Sequence, residues 1–133
     1  MLQNVEYYRP SRVEEAVAIY DRLSVEQKSP AYIAGGTEMI TLSRFHMFYS
    51  GALIDITHIR ECLVQEYHDS MLVIGSCVTL NQISEKNLFP LLAVTGSRVA
   101  DPTARNQITL GGNISGEIIY KEAILPLLIA KVP

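Results

Sequence analysis

IAGGTEMI, at Ile33–Ile40, joins a short apolar run to a glycine pair and a helix-forming segment. The run Ala31–Ala34 predicts a β-strand, and the residues as far as Leu42 predict a helix that Thr37 caps. The glycine pair Gly35-Gly36 allows positive φ angles and lets another backbone or a ligand come close. A helix N-terminus directly after such a loop favours an anion, because its first backbone N–H groups have no partner inside the helix.

A second glycine pair follows the β-like run Ile108–Leu110, in the sequence Leu110-Gly111-Gly112-Asn113. Neither loop matches the dinucleotide pattern GxGxxG or the Walker pattern, and no lysine occupies the position of a Walker lysine. Two such loops would hold a diphosphate with neutral amide dipoles, which suits a dinucleotide better than a nucleoside triphosphate with magnesium. The alternative interpretation is that each glycine pair is only a turn.

Patterns outside the two loops predict an α+β fold, because strands and helices alternate without the regular unit of a doubly wound sheet. Strands are predicted at Val5–Tyr8 and Ala52–Ile56, with a hairpin formed by Cys62–Tyr67 and Met71–Gly75. Helices are predicted from a capping box at Ser11 and Glu14 to Leu23, after a capping box at Thr79 and Gln82, over Leu91–Val99, and within Tyr120–Ala130.

The last of these segments is apolar on nearly all faces, which predicts a buried helix. Pro126 lies inside it, and a proline is tolerated near the first turn of a helix, so we expect this helix to start near Lys121. Such a helix needs cover on several sides, and a second copy of the chain or a partner subunit would supply it. A homo-oligomer is therefore expected.

Composition excludes several classes of protein. The 133 residues are 48% hydrophobic and 19% charged, which is the balance of one globular domain. A net charge of −3 without a basic cluster argues against nucleic-acid binding. No stretch reaches the roughly 18 apolar residues of a membrane span, and no signal peptide is evident, so we expect a cytoplasmic protein without membrane contact. The two cysteines and three histidines have no metal-ligand spacing.

Four motifs in order carry a family resemblance. They are Tyr-x-x-Pro-x-x-x-x-Glu-Ala at Tyr7–Ala16, the run Ile33–Ile40, the block Ile74–Ile83, and RNQITLGGNI at Arg105–Ile114. Together they cover nearly the whole chain and resemble the flavoprotein family of molybdenum hydroxylases. That family includes the FAD subunits of bacterial xanthine, carbon monoxide and nicotinate dehydrogenases. The run Gly111–Leu128 resembles the branch associated with purine-type hydroxylases.

The resemblance implies two small α/β subdomains of the molybdopterin-dehydrogenase FAD-binding type, at residues 1–56 and 57–133, with the second truncated. It implies that the two glycine loops wrap the FAD diphosphate and that Ala100 places backbone near the cofactor. Glu122 stands nine residues after the asparagine of the second loop, where members carry an acid that helps hold FAD; the alternative is a solvated acid at a helix N-terminus. The implied cofactor-binding residues are Ile33, Ala34, Gly35, Gly36, Thr37, Glu38, Ala100, Thr109, Leu110, Gly111, Gly112, Asn113 and Glu122.

The function that the resemblance implies is an oxidoreductase subunit. FAD would receive electrons from iron–sulfur clusters and pass them to NAD or another acceptor, and no catalytic side chain would come from this chain. The implied partners are a molybdopterin-binding subunit and a 2Fe-2S subunit. Two alternatives remain open: a truncated, cofactor-free relative that serves as a scaffold or assembly partner, and a nucleotide-diphosphate binding module without redox function. The isolated chain is expected to retain FAD weakly or not at all, and not to oxidise NADH.

Overall fold

A three-stranded parallel sheet forms the first half of the chain in the computed structural model, which describes residues 4–130. Its strand order is β1-β3-β2, and β3 in the middle is buried along its whole length. The elements of this half are β1 (Glu6–Tyr8), α1 (Val13–Val25), β2 (Pro30–Ile33), α2 (Thr37–Arg44) and β3 (Ala52–Asp55). Because parallel strands end at the same edge, the glycine loop after β2 lies beside the end of β3, where Ile33 pairs with Asp55.

The second half contains one hairpin and several short helices. A 3-10 turn precedes the antiparallel pair β4–β5, and the helices follow. The elements are the turn Arg60–Leu63, β4 (Gln65–His68), β5 (Met71–Ile74), α3 (Leu80–Lys86), α4 (Pro90–Gly96), α5 (Pro102–Arg105), α6 (Leu110–Ser115) and α7 (Ile124–Ile129). Strands are present at the predicted segments Val5–Tyr8, Ala31–Ala34 and Ala52–Ile56, and the predicted hairpin is present. Their bounds shift by up to three residues, and Cys62 and Leu63 lie in the 3-10 turn rather than in β4.

Each half has its own apolar cluster. The first joins the inner face of α1 to the sheet, with Leu23 and Ile54 fully buried. The second lies among the helices of the second half, around Leu80 and Leu92, which are also fully buried. The division into subdomains at residues 56 and 57 stays a prediction.

The capping predictions have mixed outcomes. Thr79 and Gln82 form the predicted capping box at α3, with both reciprocal hydrogen bonds present. The predicted box at Ser11 and Glu14 is wrong, because α1 begins one residue later than the box requires, with Arg12 rather than Ser11 at the N-cap. That shift places Glu15 where its carboxylate accepts the Ser11 N–H at 3.0 Å. Thr37 is likewise not a cap: it is the first residue of α2.

The helix bounds also differ from the predictions. The helix predicted over Leu91–Val99 runs from Pro90 to Gly96, since proline fits the first helical position. The last helix starts at Ile124 rather than near Lys121, with buried Pro126 inside its first turn. The prediction that this helix is buried on most sides is wrong within the described residues: Leu125, Leu128 and Ile129 are 62–74% exposed, because no other described element covers that face. Between residues 4 and 130, no helix combines the length and apolar character needed to cross a membrane.

Candidate functional site

A cavity of about 930 Å³ lies between the two glycine loops. All of the predicted cofactor-binding residues line it except Ile33 and Leu110. The Leu110 side chain is buried in the second apolar cluster, and the Ile33 side chain packs beside Gly36. The sequence did not single out several other lining residues, among them Met47, Phe48, Ser76, Gly116, Glu117, Ile118 and Tyr120. Many of these come from irregular segments, where no periodicity marks a buried or cavity-facing position.

The first loop offers unpaired backbone donors to the cavity. Gly36 precedes α2 with φ of 70°, a left-handed conformation that glycine adopts without steric cost. The first backbone bond of this helix runs from the Ile40 N–H to the Gly36 carbonyl at 2.9 Å. Within residues 4–130, no acceptor receives the N–H groups of residues 35–38, all of which line the cavity. This array of N–H groups at a helix N-terminus is a site for an anion.

The two loops touch each other directly at Gly35. A Cβ atom built on this residue would lie 1.7 Å from the carbonyl oxygen of Gln107, far inside any real contact. The two nearest atoms, the carbonyl oxygen and carbon of Gln107, are backbone atoms, so rotation of a side chain cannot relieve the clash. Gly35 is therefore needed to bring the first loop against the segment that leads into the second.

The second loop has a different structure from the predicted one. Residues 108–110 form no strand beyond an isolated bridge between Thr79 and Thr109. Instead Thr109 caps α6, and its side chain accepts the Gly112 N–H at 3.1 Å. The glycine pair lies in the first turn of this helix, because the cap stabilises helical rather than extended backbone there.

The second loop consequently has few donors to offer. The Leu110, Gly111 and Asn113 N–H groups donate to carbonyls of Val78, Ser76 and Thr109 at 2.9 Å, and the Gly112 N–H is held by the threonine cap. A Cβ on Gly111 would lie 2.7 Å from the Ser76 Cβ, so this glycine allows α6 to pack closely on the turn after β5. These N–H groups already have partners within the protein, which favours a role of the loop in shaping the cavity wall; its predicted contact with the diphosphate stays a prediction.

Glu122 carries an unsatisfied buried atom. Its Oε2 is buried and has no hydrogen-bond partner among the described residues. An uncompensated buried carboxylate oxygen is costly, and a donor from a bound molecule would remove the cost. The residue as a whole is half-buried, and both its cofactor-binding role and the alternative of a solvated acid stay predictions.

Ala100 has a backbone that few non-glycine residues adopt, with φ of 47°. The Arg105 guanidinium donates to the Val99 and Ala100 carbonyls at 3.0 and 2.8 Å and so holds this turn. Since Ala100 lines the cavity, the strained turn places its backbone at the wall.

A separate polar cluster lies at the ends of β1 and β3. The Asp55 carboxylate accepts the Thr57 N–H and hydroxyl at 2.9 and 2.6 Å, accepts the Tyr7 hydroxyl, and lies 3.6 Å from the Arg9 Nε. Burial by itself raises the pKa of Asp55, but the Thr57 and Tyr7 hydrogen bonds and the Arg9 charge outweigh it, and the pKa is lowered. The carboxylate is fully engaged, so this cluster stabilises the sheet edge.

The described part of the chain contains no group of three or more histidine, cysteine or acidic side chains that could hold a metal ion. Cys77 is buried, and Cys62 is half-buried; both are free thiols. Burial raises the pKa of the Cys77 thiol to about 11. A buried, protonated thiol of this kind acts as a small packing residue.

Comparisons with known proteins agree with this geometry. Residues 3–132 match the family described as "FAD binding domain in molybdopterin dehydrogenase". The chain is 32% identical over 114 residues to the carbon monoxide dehydrogenase medium chain of Hydrogenophaga pseudoflava, with 83% of this chain and 39% of that protein covered. It is 27% identical over 134 aligned positions to the xanthine dehydrogenase FAD-binding subunit of Escherichia coli O157:H7, with 97% of this chain and 44% of that protein covered.

A solved structure of carbon monoxide dehydrogenase from Hydrogenophaga pseudoflava matches the fold with a TM-score of 0.79 at 30% identity. The match covers 86% of this chain and 40% of that one. The predicted fold class, a mixture of helices and strands of the FAD-binding type, is confirmed by this likeness. The chain spans less than half the length of the relatives it matches.

Proposed function

Because this chain belongs to the family of FAD-binding domains in molybdopterin dehydrogenases, we propose that it binds FAD in the cavity between its two glycine loops. The observation that carries the proposal is the array of unpaired N–H groups at residues 35–38, where β2 ends and α2 begins. Among residues 4–130, no lysine or arginine side chain lines this cavity. A diphosphate would therefore be held by backbone dipoles rather than by a cation.

The other residues of the cavity fit the same group. The buried Oε2 of Glu122 has no donor in the described protein, and a hydroxyl of the cofactor would supply one. Gly35 brings the first loop against the segment that leads into the second loop, and Gly111 brings α6 against the turn after β5, so these backbones lie close enough to enclose a ligand. Ala100 forms part of the cavity wall and carries no charge. We assign the first loop to the diphosphate, and Glu122 to a hydroxyl group.

FAD, when bound, supplies the redox chemistry by accepting and releasing electrons. This chain's residues bind and orient the cofactor, and none of them need act as acid, base or nucleophile. We propose that the cofactor receives electrons from iron–sulfur clusters and passes them to NAD or another acceptor. The names of the relatives, a xanthine dehydrogenase FAD-binding subunit and a carbon monoxide dehydrogenase medium chain, support this role.

The proposed partners follow from the same relatives. A medium chain and an FAD-binding subunit are parts of larger assemblies, so we propose a molybdopterin-binding subunit and a 2Fe-2S subunit as partners, in the cytoplasm. The exposed apolar side chains of α7, Leu125, Leu128 and Ile129, support cover by such a subunit or by a second copy of this chain.

Equilibrium binding tests the proposed cofactor. The purified chain is titrated with FAD, FMN and ADP in parallel, and flavin fluorescence or heat is followed. The proposal predicts saturable binding of one FAD per chain, with weaker binding of either fragment. Equal affinity for FAD and ADP would favour a nucleotide-diphosphate module, and no binding of any of the three would favour a cofactor-free scaffold.

A further inference from the structure

The segment between α6 and α7, residues 116–122, forms a strap along the cavity. It contains no helix or strand, yet Gly116, Glu117, Ile118, Tyr120 and Glu122 all line the cavity. Such a segment has little regular backbone hydrogen bonding to fix its course. Its position, and with it the position of the Glu122 carboxylate, must come from contacts at its ends.

One end of the strap is held by Glu38. The Oε1 of Glu38, on α2, accepts the Glu117 N–H at 2.5 Å. The other carboxylate oxygen lies over Gly116, where an added Cβ would be only 2.1 Å away. The Glu38 carboxylate is thus bound to the backbone of the strap.

The other end is held by Asn113. Its Nδ2 donates to the Tyr120 carbonyl at 3.0 Å, and its Oδ1 accepts the Ala123 N–H at 3.2 Å. These two bonds lie on either side of Glu122. The Asn113 amide therefore has both its carbonyl oxygen and its amino group engaged with the strap.

We infer that the side chains of Glu38 and Asn113 are positioning groups, which hold the strap and so place Glu122 at the cavity, rather than side-chain ligands of the cofactor. The inference rests on the proposed FAD site for its functional consequence. It concerns the two side chains only and leaves the Glu38 N–H among the proposed diphosphate donors. A carboxylate on a diphosphate would in any case be repelled, whereas a carboxylate that accepts a backbone N–H is stabilised.

The first experiment tests, without cofactor, the contacts that hold the strap: the Glu38–Glu117 hydrogen bond and the two hydrogen bonds of Asn113, here called the clamps. Amide hydrogen exchange of the full chain is followed residue by residue in the parent, Glu38→Ala, Glu38→Gln and Asn113→Ala. We expect faster exchange at the Glu117 amide in Glu38→Ala and at the Ala123 amide in Asn113→Ala. Glu38→Gln should keep most of the protection, because glutamine retains an acceptor oxygen; the exposed Glu85→Ala serves as a control. Unchanged exchange at both amides would overturn the clamps.

The second experiment measures FAD affinity in a double-mutant cycle. Glu122→Gln is expected to weaken binding about tenfold or more, the fold-change of one charged hydrogen bond. If Asn113 acts through Glu122, Asn113→Ala alone should weaken FAD binding, and it should add little in the Glu122→Gln background. Full additivity of the two changes would mean that Asn113 binds the cofactor itself and would overturn the inference.

The two experiments separate the two failures. If the parent chain keeps both protected amides but binds no FAD, the cofactor proposal fails while the clamps stand. If FAD binds and Glu38→Gln weakens it as much as Glu38→Ala does, the charge of Glu38 matters to the cofactor, and the positioning role is wrong.

Discussion

Replacing Gly35 with alanine is expected to separate the two glycine loops. The added Cβ would lie 1.7 Å from the Gln107 carbonyl oxygen, whereas real Cβ contacts are essentially never shorter than 3.0 Å. The two backbones must therefore move apart by about 1.3 Å, the difference between these distances. Because backbone faces backbone, the movement shifts both loops and not one side chain.

The effect is large because no side chain can move to relieve the contact. Overpacking a close contact costs about 1–3 kcal/mol of folding free energy when side chains can adjust. Here no side chain can rotate away, so we expect Gly35→Ala to lower the free energy of unfolding by about 3 kcal/mol. That is a large fraction of the roughly 5–15 kcal/mol that stabilises a typical domain.

Urea denaturation followed by circular dichroism measures this change, and Gly96→Ala is the matched control. A Cβ on Gly96 would meet only the Leu80 side chain, at 3.7 Å, which is an ordinary contact. In the helical conformation of α4, alanine at this position should leave stability unchanged or raise it by about 0.5–1 kcal/mol. If Gly35→Ala denatures at the same urea concentration as Gly96→Ala, the close approach of the two loops is wrong.

Three further predictions concern groups outside the loops. Since the pKa of Asp55 is lowered in the folded protein, its charge stabilises the fold above the ordinary aspartate pKa of about 4, and that stability is lost as the pH falls through the lowered value. Asp55→Asn should lower the free energy of unfolding by about 1–3 kcal/mol at pH 7 and should make that free energy fall less steeply in acid. Urea denaturation at pH 7 and below pH 4 checks this, and an unchanged pH dependence would contradict it. With its pKa raised to about 11, the Cys77 thiol should react slowly with iodoacetamide at pH 8 until urea unfolds the chain, as peptide mapping would reveal; rapid modification of the folded protein would argue against its burial. Changing both Leu125 and Leu128 to serine should reduce self-association in light scattering, whereas Val25→Ser on α1 should not; a monomeric parent would exclude self-association through this face.

Much of the first loop was predictable from local sequence. An apolar run, a glycine pair and a helix-forming segment predicted the order of β2, loop and α2, because each signal acts over a few residues. The two capping-box patterns show that such a local signal does not by itself determine the residue at which a helix begins. Thr79-x-x-Gln82 and Ser11-x-x-Glu14 look alike, yet only the first matches a helix start, because α1 begins one residue later than the second pattern requires.

The site itself was less predictable. The sequence identified Glu122 by resemblance, but its burial without a partner required the structure. The bond between Glu38 and Glu117 joins residues 79 positions apart, and no local pattern reports such a pair. The sequence at Ile108–Leu110 predicts a strand followed by an open loop, whereas the structure has a helix at Leu110–Ser115, because a short run with two apolar residues before a glycine pair is common to both structures.

Amide chemical shifts of the isotopically labelled chain during an FAD titration test the central claim most directly, because they report each backbone N–H separately. The account predicts that the largest, saturating changes occur at Gly35, Gly36, Thr37 and Glu38, whose N–H groups have no acceptor in the described protein. The amides of Gly111, Gly112 and Asn113, already bonded within the protein, should move less. Saturating changes confined to the second loop, or none in a folded chain at millimolar FAD, would contradict the assignment of the diphosphate to the first loop.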